Sequence, residues 1–223
     1  KLTPKPLSLS ENVLPSLKVS LKLNSTNETP KIYNQNPTIA TADSAALKVV
    51  SGTTILGDGD ANDYFFKLNV LSATITGDGT IDGNDLHSRG VGIINDTGND
   101  GGIATVGHGL RVINCRQYDS TTNPVSPQTT TSAGVQIRGH FELAVVDNAI
   151  CERIWSDAPA VDSGGSGQGA ARGILIDYSR TTGRVADSAI VENSKVTNLF
   201  PANDADGVFM QQPPWIYDRL ASL

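Results

Sequence analysis

The residues best equipped for chemistry lie near the C-terminal end of the chain. In Asp204-Ala205-Asp206-Gly207-Val208 two carboxylates stand two residues apart, about 6.5–7 Å along an extended strand. That matches the ~6.5–9.5 Å at which inverting glycosidases seat a water between acid and base. The same string also reads as an Asp-Gly turn entering a strand. Strict alternation then points Asp206 to the side of Val208 unless Gly207 breaks the pleat. A second set comes from the runs Gly134-Val135-Gln136-Ile137, Gly173-Ile174-Leu175-Ile176 and Gly207-Val208-Phe209-Met210. With their aliphatic residues inward, Gln136, Leu175 and Phe209 point outward, as do Arg138, Asp177 and Gln211 one step on. Arg138 and Asp177, one rung apart, are placed for a charge-assisted hydrogen bond. This is either a surface ion pair worth ~0–1 kcal/mol or, with an amide and an aromatic ring beside it, part of a sugar-binding strip. Asp177, Asp204 and Asp206 with Arg172 also supply the residue types of a calcium-assisted elimination, acids for the metal and a base.

Other candidates carry less. His87, His108 and His140 have no metal-ligand spacing and read as turn or surface histidines, with Gly107-His108-Gly109 a turn. Gly164-Gly165-Ser166-Gly167-Gln168-Gly169 lacks the Lys-Ser/Thr of a phosphate cradle and reads as a mobile loop. The loop 155–171 that contains it and the Thr/Pro-rich stretch 119–132 are placed to wall a cleft beside the outward strip.

Positioning these groups falls to a β-rich scaffold. The 223 residues include 22 Gly and 11 Pro, with 38% hydrophobic and only 18% charged residues, a profile unlike a helical bundle. No apolar run approaches the ~20 residues of a membrane span. The net charge of −6 is uneven: residues 1–31 hold five Lys against Glu11 and Glu28, and the rest is strongly acidic. An acidic body repels phosphate backbones, so nucleic acid is not an expected partner. The basic arm reads as a flexible or docking segment. Cys115 and Cys151 show no CxxC or metal spacing and are expected as two free buried thiols.

Degenerate repetition organises the chain. Five segments carry an aliphatic residue two places before Asn or Gly: Ile55-Leu56-Gly57, Ile75-Thr76-Gly77, Val112-Ile113-Asn114, Val146-Asp147-Asn148 and Val191-Glu192-Asn193. The glycine runs above, with Gly90-Val91-Gly92-Ile93 and a counterpart in Phe65-Phe66-Lys67-Leu68, alternate with them. Strands this short bury a face only by stacking on copies of themselves. The irregular spacing of the anchors fits coils of constant strands and variable loops. In such a stack, aliphatic columns fill the interior, and an inward Asn column through Asn114, Asn148 and Asn193 is expected to ladder its amides.

With Ile75-Thr76-Gly77-Asp78-Gly79-Thr80-Ile81-Asp82-Gly83-Asn84, these turns and strands over roughly residues 45–212 resemble the right-handed parallel β-helix of the pectin-lyase-like superfamily. That superfamily includes polygalacturonases, pectate lyases and phage tailspike depolymerases. The resemblance implies an all-β solenoid of about five irregular coils. Residues 1–44 are expected to form an N-terminal arm or cap, and 213–223 a tail that is an incomplete cap. Asp204-Ala205-Asp206-Gly207 resembles the polygalacturonase Asn-Thr-Asp-Gly motif, with Asp206 and Gly207 at the matching positions. The paired aspartates, Gly-His-Gly and Arg-x-Lys of that family do not follow it here. The expected function is an extracellular polysaccharide-degrading enzyme of polygalacturonase-like type without a cofactor, or with calcium if it is a lyase. Asp206 with Asp204 or Asp177 would be acid and base; Arg138, Arg172, Phe209, Gln211 and Gln136 would hold the sugar. The alternatives are a phage tailspike or fibre segment, expected as a homotrimer on a virion tail, and a non-catalytic glycan-binding solenoid.

Overall fold

The computed structural model describes residues 16–20, 31–34, 38–57, 64–117, 131–157, 170–179, 181–202 and 204–210. All regular structure among them is β, in sixteen strands: β1 (Ser16–Ser20), β2 (Lys31–Asn34), β3 (Thr38–Lys48), β4 (Thr54–Gly57), β5 (Tyr64–Thr76), β6 (Thr80–Asp82), β7 (Arg89–Asn95), β8 (Ile103–Gly107), β9 (Arg111–Gln117), β10 (Thr131–Gly139), β11 (Leu143–Asp147), β12 (Ile150–Ser156), β13 (Ala170–Asp177), β14 (Ser188–Glu192), β15 (Lys195–Phe200) and β16 (Asp204–Met210). No helix among the described residues is long and apolar enough to cross a membrane.

Every strand pairing is parallel, and the strands fall into three stacks. The first runs β3-β5-β7-β10-β13-β16, the second β1-β3-β5-β8-β11-β14 and the third β2-β4-β6-β9-β12-β15. The long strands β3 and β5 turn the corner between the first two stacks without interruption, so each serves both. Chain order visits the stacks in rotation, which makes the molecule a β-helix-like solenoid. The boundary expected at residues 44/45 falls inside β3.

Columns of aliphatic side chains fill the axis. Ile75, Val106, Val146 and Val191 stack in register in the second sheet, and Ile55, Ile81, Val112, Cys151 and Val196 in the third. Most of these are fully buried. In the first sheet Val91, Val135, Ile174 and Val208 share a column, as do Leu68, Ile93, Ile137, Ile176 and Met210. The glycine runs therefore stack in the alignment their sequence implies.

The Asn anchors behave differently from the expectation. Asn148 and Asn193 share a corner column with His108 between the second and third stacks, at φ 52°, 51° and 60°. Asn114 belongs to another column, with Arg153 and Asn198 within the third stack, at φ 55°, 57° and 56°. The five apolar-x-Asn/Gly segments are thus two kinds of position, three in the second stack or at its end and two in the third. The reason is that three successive coils take a left-handed residue at both places, His108 and Asn114, Asn148 and Arg153, and Asn193 and Asn198, and Asn tolerates that conformation better than most side chains. Nor do these residues form an inward amide ladder. Asn148 and Asn193 are exposed. Asn193 Nδ2 donates to Asp147 Oδ1 at 2.9 Å and Asn114 Nδ2 to Asp82 Oδ1 at 2.8 Å, tying each turn to the preceding coil.

Candidate functional site

The glycine column of the first stack determines which side the candidate residues face. Ala171, Ile174 and Ile176 belong to the core. Gly173 also faces it, since a Cβ there would lie 2.4 Å from the Val196 methyls. Gly134 likewise faces Cys151, and Gly90 faces Val112 and Cys115. Two consecutive residues therefore point inward, and the pleat skips a step at each glycine. Upstream of the skip, Arg172 and Asp206 turn outward with Leu175 and Phe209 downstream. This is the break that brings Asp206 to the outer side.

The outer side then reads in rungs. Arg89, Ala133, Arg172 and Asp206 form one column, Gly92, Gln136, Leu175 and Phe209 the next, and Ile94, Arg138 and Asp177 a third. Arg172 Nε donates to Asp206 Oδ2 at 3.2 Å, and its guanidinium lies 3.7 Å from the Phe209 ring centre. Asp204 is exposed and Asp206 half-buried, two residues apart on β16. Arg172, Asp206 and Phe209 are in direct contact, with Asp204 two residues before Asp206 on the same strand, and together they make the candidate site.

The rest of the strip is arranged otherwise than expected. Gln136, Arg172 and Asp177 are 1%, 2% and 3% exposed, so the outer side of β10 and β13 is closed to water rather than an open groove. Their polar heads turn to protein partners. Gln136 Nε2 donates to Asp177 Oδ2 at 3.0 Å, and the Tyr178 amide donates to Asp177 Oδ1 at 2.9 Å. Arg138 shares the Asp177 rung but pairs with Asp96 in the turn after β7. Asp177 stands five residues beyond the Arg172–Asp206 rung, about 17 Å at strand rise, so it does not share a water with Asp206. Gln211 lies outside the described residues. Among those residues no group of three His, Cys, Asp or Glu side chains converges as a metal site.

Two groups escaped sequence reasoning. Arg89 lies in the column of Arg172, and the signal was present, since both precede the glycine of their run. On the third stack Arg116, Trp155 and Phe200 are in register. Trp155 and Phe200 stack at 4.1 Å with planes 16° apart, Arg116 lies 5.7 Å over Trp155, and Arg116 bridges to Asp157 at 2.7 Å. Alternation alone did not reveal this ladder because the left-handed residue in each strand shifts the pleat. Comparison with protein-family models, curated proteins and solved structures found no match.

Proposed function

We propose that the chain is a polysaccharide-degrading β-helix of the pectin-lyase-like type, right-handed and extracellular, working as a glycoside hydrolase. The observation that supports this is the grouping of Asp204, Asp206, Arg172 and Phe209 on the outer side of β13 and β16. One carboxyl of the Asp204/Asp206 pair protonates the leaving oxygen while the other activates a water across the scissile bond. The Phe209 ring offers an apolar face to a sugar, and Arg172 orients both the ring and Asp206. Asp177, Gln136 and Arg138 brace the neighbouring rungs and contact the glycan no closer than its flanks.

The test is a screen of uronic-acid and bacterial-surface polysaccharides, read by reducing-end release and by the ultraviolet absorbance of unsaturated uronates. Asp204→Asn and Asp206→Asn are each expected to lower the rate by about 10²–10⁴-fold, the share of a general acid or base, while Asp177→Asn keeps its rate to within an order of magnitude. Full activity in Asp206→Asn would overturn the assignment. New absorbance without water addition would make the enzyme a lyase, and tight retention of an uncut glycan would make it a binding solenoid.

A second reading, a tailspike or fibre segment that assembles as a homotrimer, is favoured by the apolar end of the stack. Ile190, Phe200, Val208 and Met210, all on β14–β16, are four of the five large exposed apolar side chains among the described residues.

A further inference from the structure

His140 sits in the corner between β10 and β11, buried, where segments of three successive coils meet. Asp100 comes from the segment between β7 and β8, and Arg184 and Asp187 from that between β13 and β14. Its Nδ1 lies 3.2 Å from Asp100 Oδ1, off the line of a straight hydrogen bond. Its Nε2 has two neighbours, Asp187 Oδ1 at 3.0 Å and Arg184 Nη2 at 3.1 Å. One ring nitrogen cannot serve both. Toward Asp187 it must carry a proton; toward Arg184, which only donates, it must offer a lone pair. Arg184 is also held by Asp100, through Nη1 at 2.8 Å. Among the described residues, Glu142 in the same turn is exposed, and Arg138, two residues earlier, is engaged by Asp96.

We propose that His140 is a pH-operated clasp between these segments. As imidazolium it donates from Nε2 to Asp187 and faces Asp100 with Nδ1–H, gripping the segment before β14 by its carboxylate. As neutral imidazole it keeps the Nδ1 proton against Asp100, accepts from Arg184 at Nε2, and releases Asp187. The backbone supplies reporters. The Asp187 amide donates to Phe141 O at 2.9 Å, Glu142 N reaches Gly101 O and Gly102 O at 3.1 and 3.0 Å, and Asn95 Nδ2 holds His140 O at 2.6 Å. The inference does not depend on what the molecule cuts or binds.

The experiment is amide hydrogen exchange at pH 5.5 and 7.5, corrected for intrinsic rates, joined to imidazole nitrogen spectra of the whole chain. In the wild type the Asp187 amide is expected to be about three- to fivefold better protected at pH 5.5, the scale of an ion pair whose carboxylate faces water. Amides in β9 and β12 serve as the unaffected reference. His140→Gln and Asp187→Asn are expected to abolish the difference, and Arg184→Gln to keep it. The wild-type spectra are expected to show the Nδ1–H tautomer at high pH, which tests the proposal even if a substituted chain fails to fold. Equal protection at both pH values, the same pH dependence in His140→Gln, or an Nε2–H neutral tautomer would each overturn it.

Discussion

Cys151 lies inside the solenoid with its sulfur against Gly134, and burial pushes its thiol up to about 12. The Cys115 thiol is raised as well, by burial first and by Cys151 next. Burial therefore keeps both sulfurs protonated and out of reach of solvent, so they are expected to ignore thiol reagents until the chain unfolds. An Ellman titration with and without denaturant checks this. The sign of the linkage is also determined. An unfolded thiol ionises near 8.5–9 and the native one far above, so the native state holds its proton longer. The stability this contributes is present below about pH 9 and is lost as pH rises from there toward 12. Cys151→Ser removes that proton from both states, and its unfolding free energy is expected to fall less steeply over the same range in urea titrations.

Within each strand, one position of unusual geometry determines what the others can do. The glycine of the first-stack runs sits where two residues point inward, and its partners on the third stack fill the space a side chain would need. At Gly173 a methyl would lie 2.4 Å from Val196, whereas at Gly207 the nearest Val196 atom is 4.0 Å away. Gly173→Ala is therefore expected to cost about 1–3 kcal/mol by overpacking, and Gly207→Ala less than about 0.5 kcal/mol. The left-handed columns make the opposite kind of demand. Asn148→Ala is expected to cost about 1–2 kcal/mol, while Arg153→Gly, which relieves a φ of 57°, is expected to raise stability by about 0.5–1 kcal/mol after the entropy of glycine is counted. Chemical unfolding midpoints at constant m-value separate these four outcomes.

Across the molecule, stability rises from stacking, and the stack ends on strands whose outer edge has no partner among the described residues. β14, β15 and β16 each pair on one side, and Val208 and Met210, in the core columns of the first sheet, are 52% and 43% exposed. Parallel edges that no described strand covers, carrying apolar side chains, favour pairing with further β structure. Sedimentation velocity is expected to show concentration-dependent association, and Val208→Lys with Met210→Lys is expected to weaken it, since charges on an exposed edge oppose pairing.

The pairing of Gly90-Val91, Gly134-Val135, Gly173-Ile174 and Gly207-Val208 was legible in the sequence, because a parallel stack places like residues over like and local strings therefore declare their own register. The stacking of short aliphatic segments into an all-β solenoid, and the burial of two unpaired cysteines, followed from the same local logic. What the chain needed its tertiary structure to decide was direction and company. Alternation alone turned Asp206 inward; the outward turn depends on how a glycine packs against a strand of another stack, a contact between residues distant in sequence. The Asn residues looked alike in sequence because a corner after the second stack and a point within the third demand the same backbone angle, and only the closed coil separates them into two columns. Arg138 found Asp96 rather than Asp177, and His140 met Asp100, Arg184 and Asp187, because turns from successive coils converge at one corner. Local chemistry sets the rungs, while the path between rungs, long and variable here, chooses the neighbours.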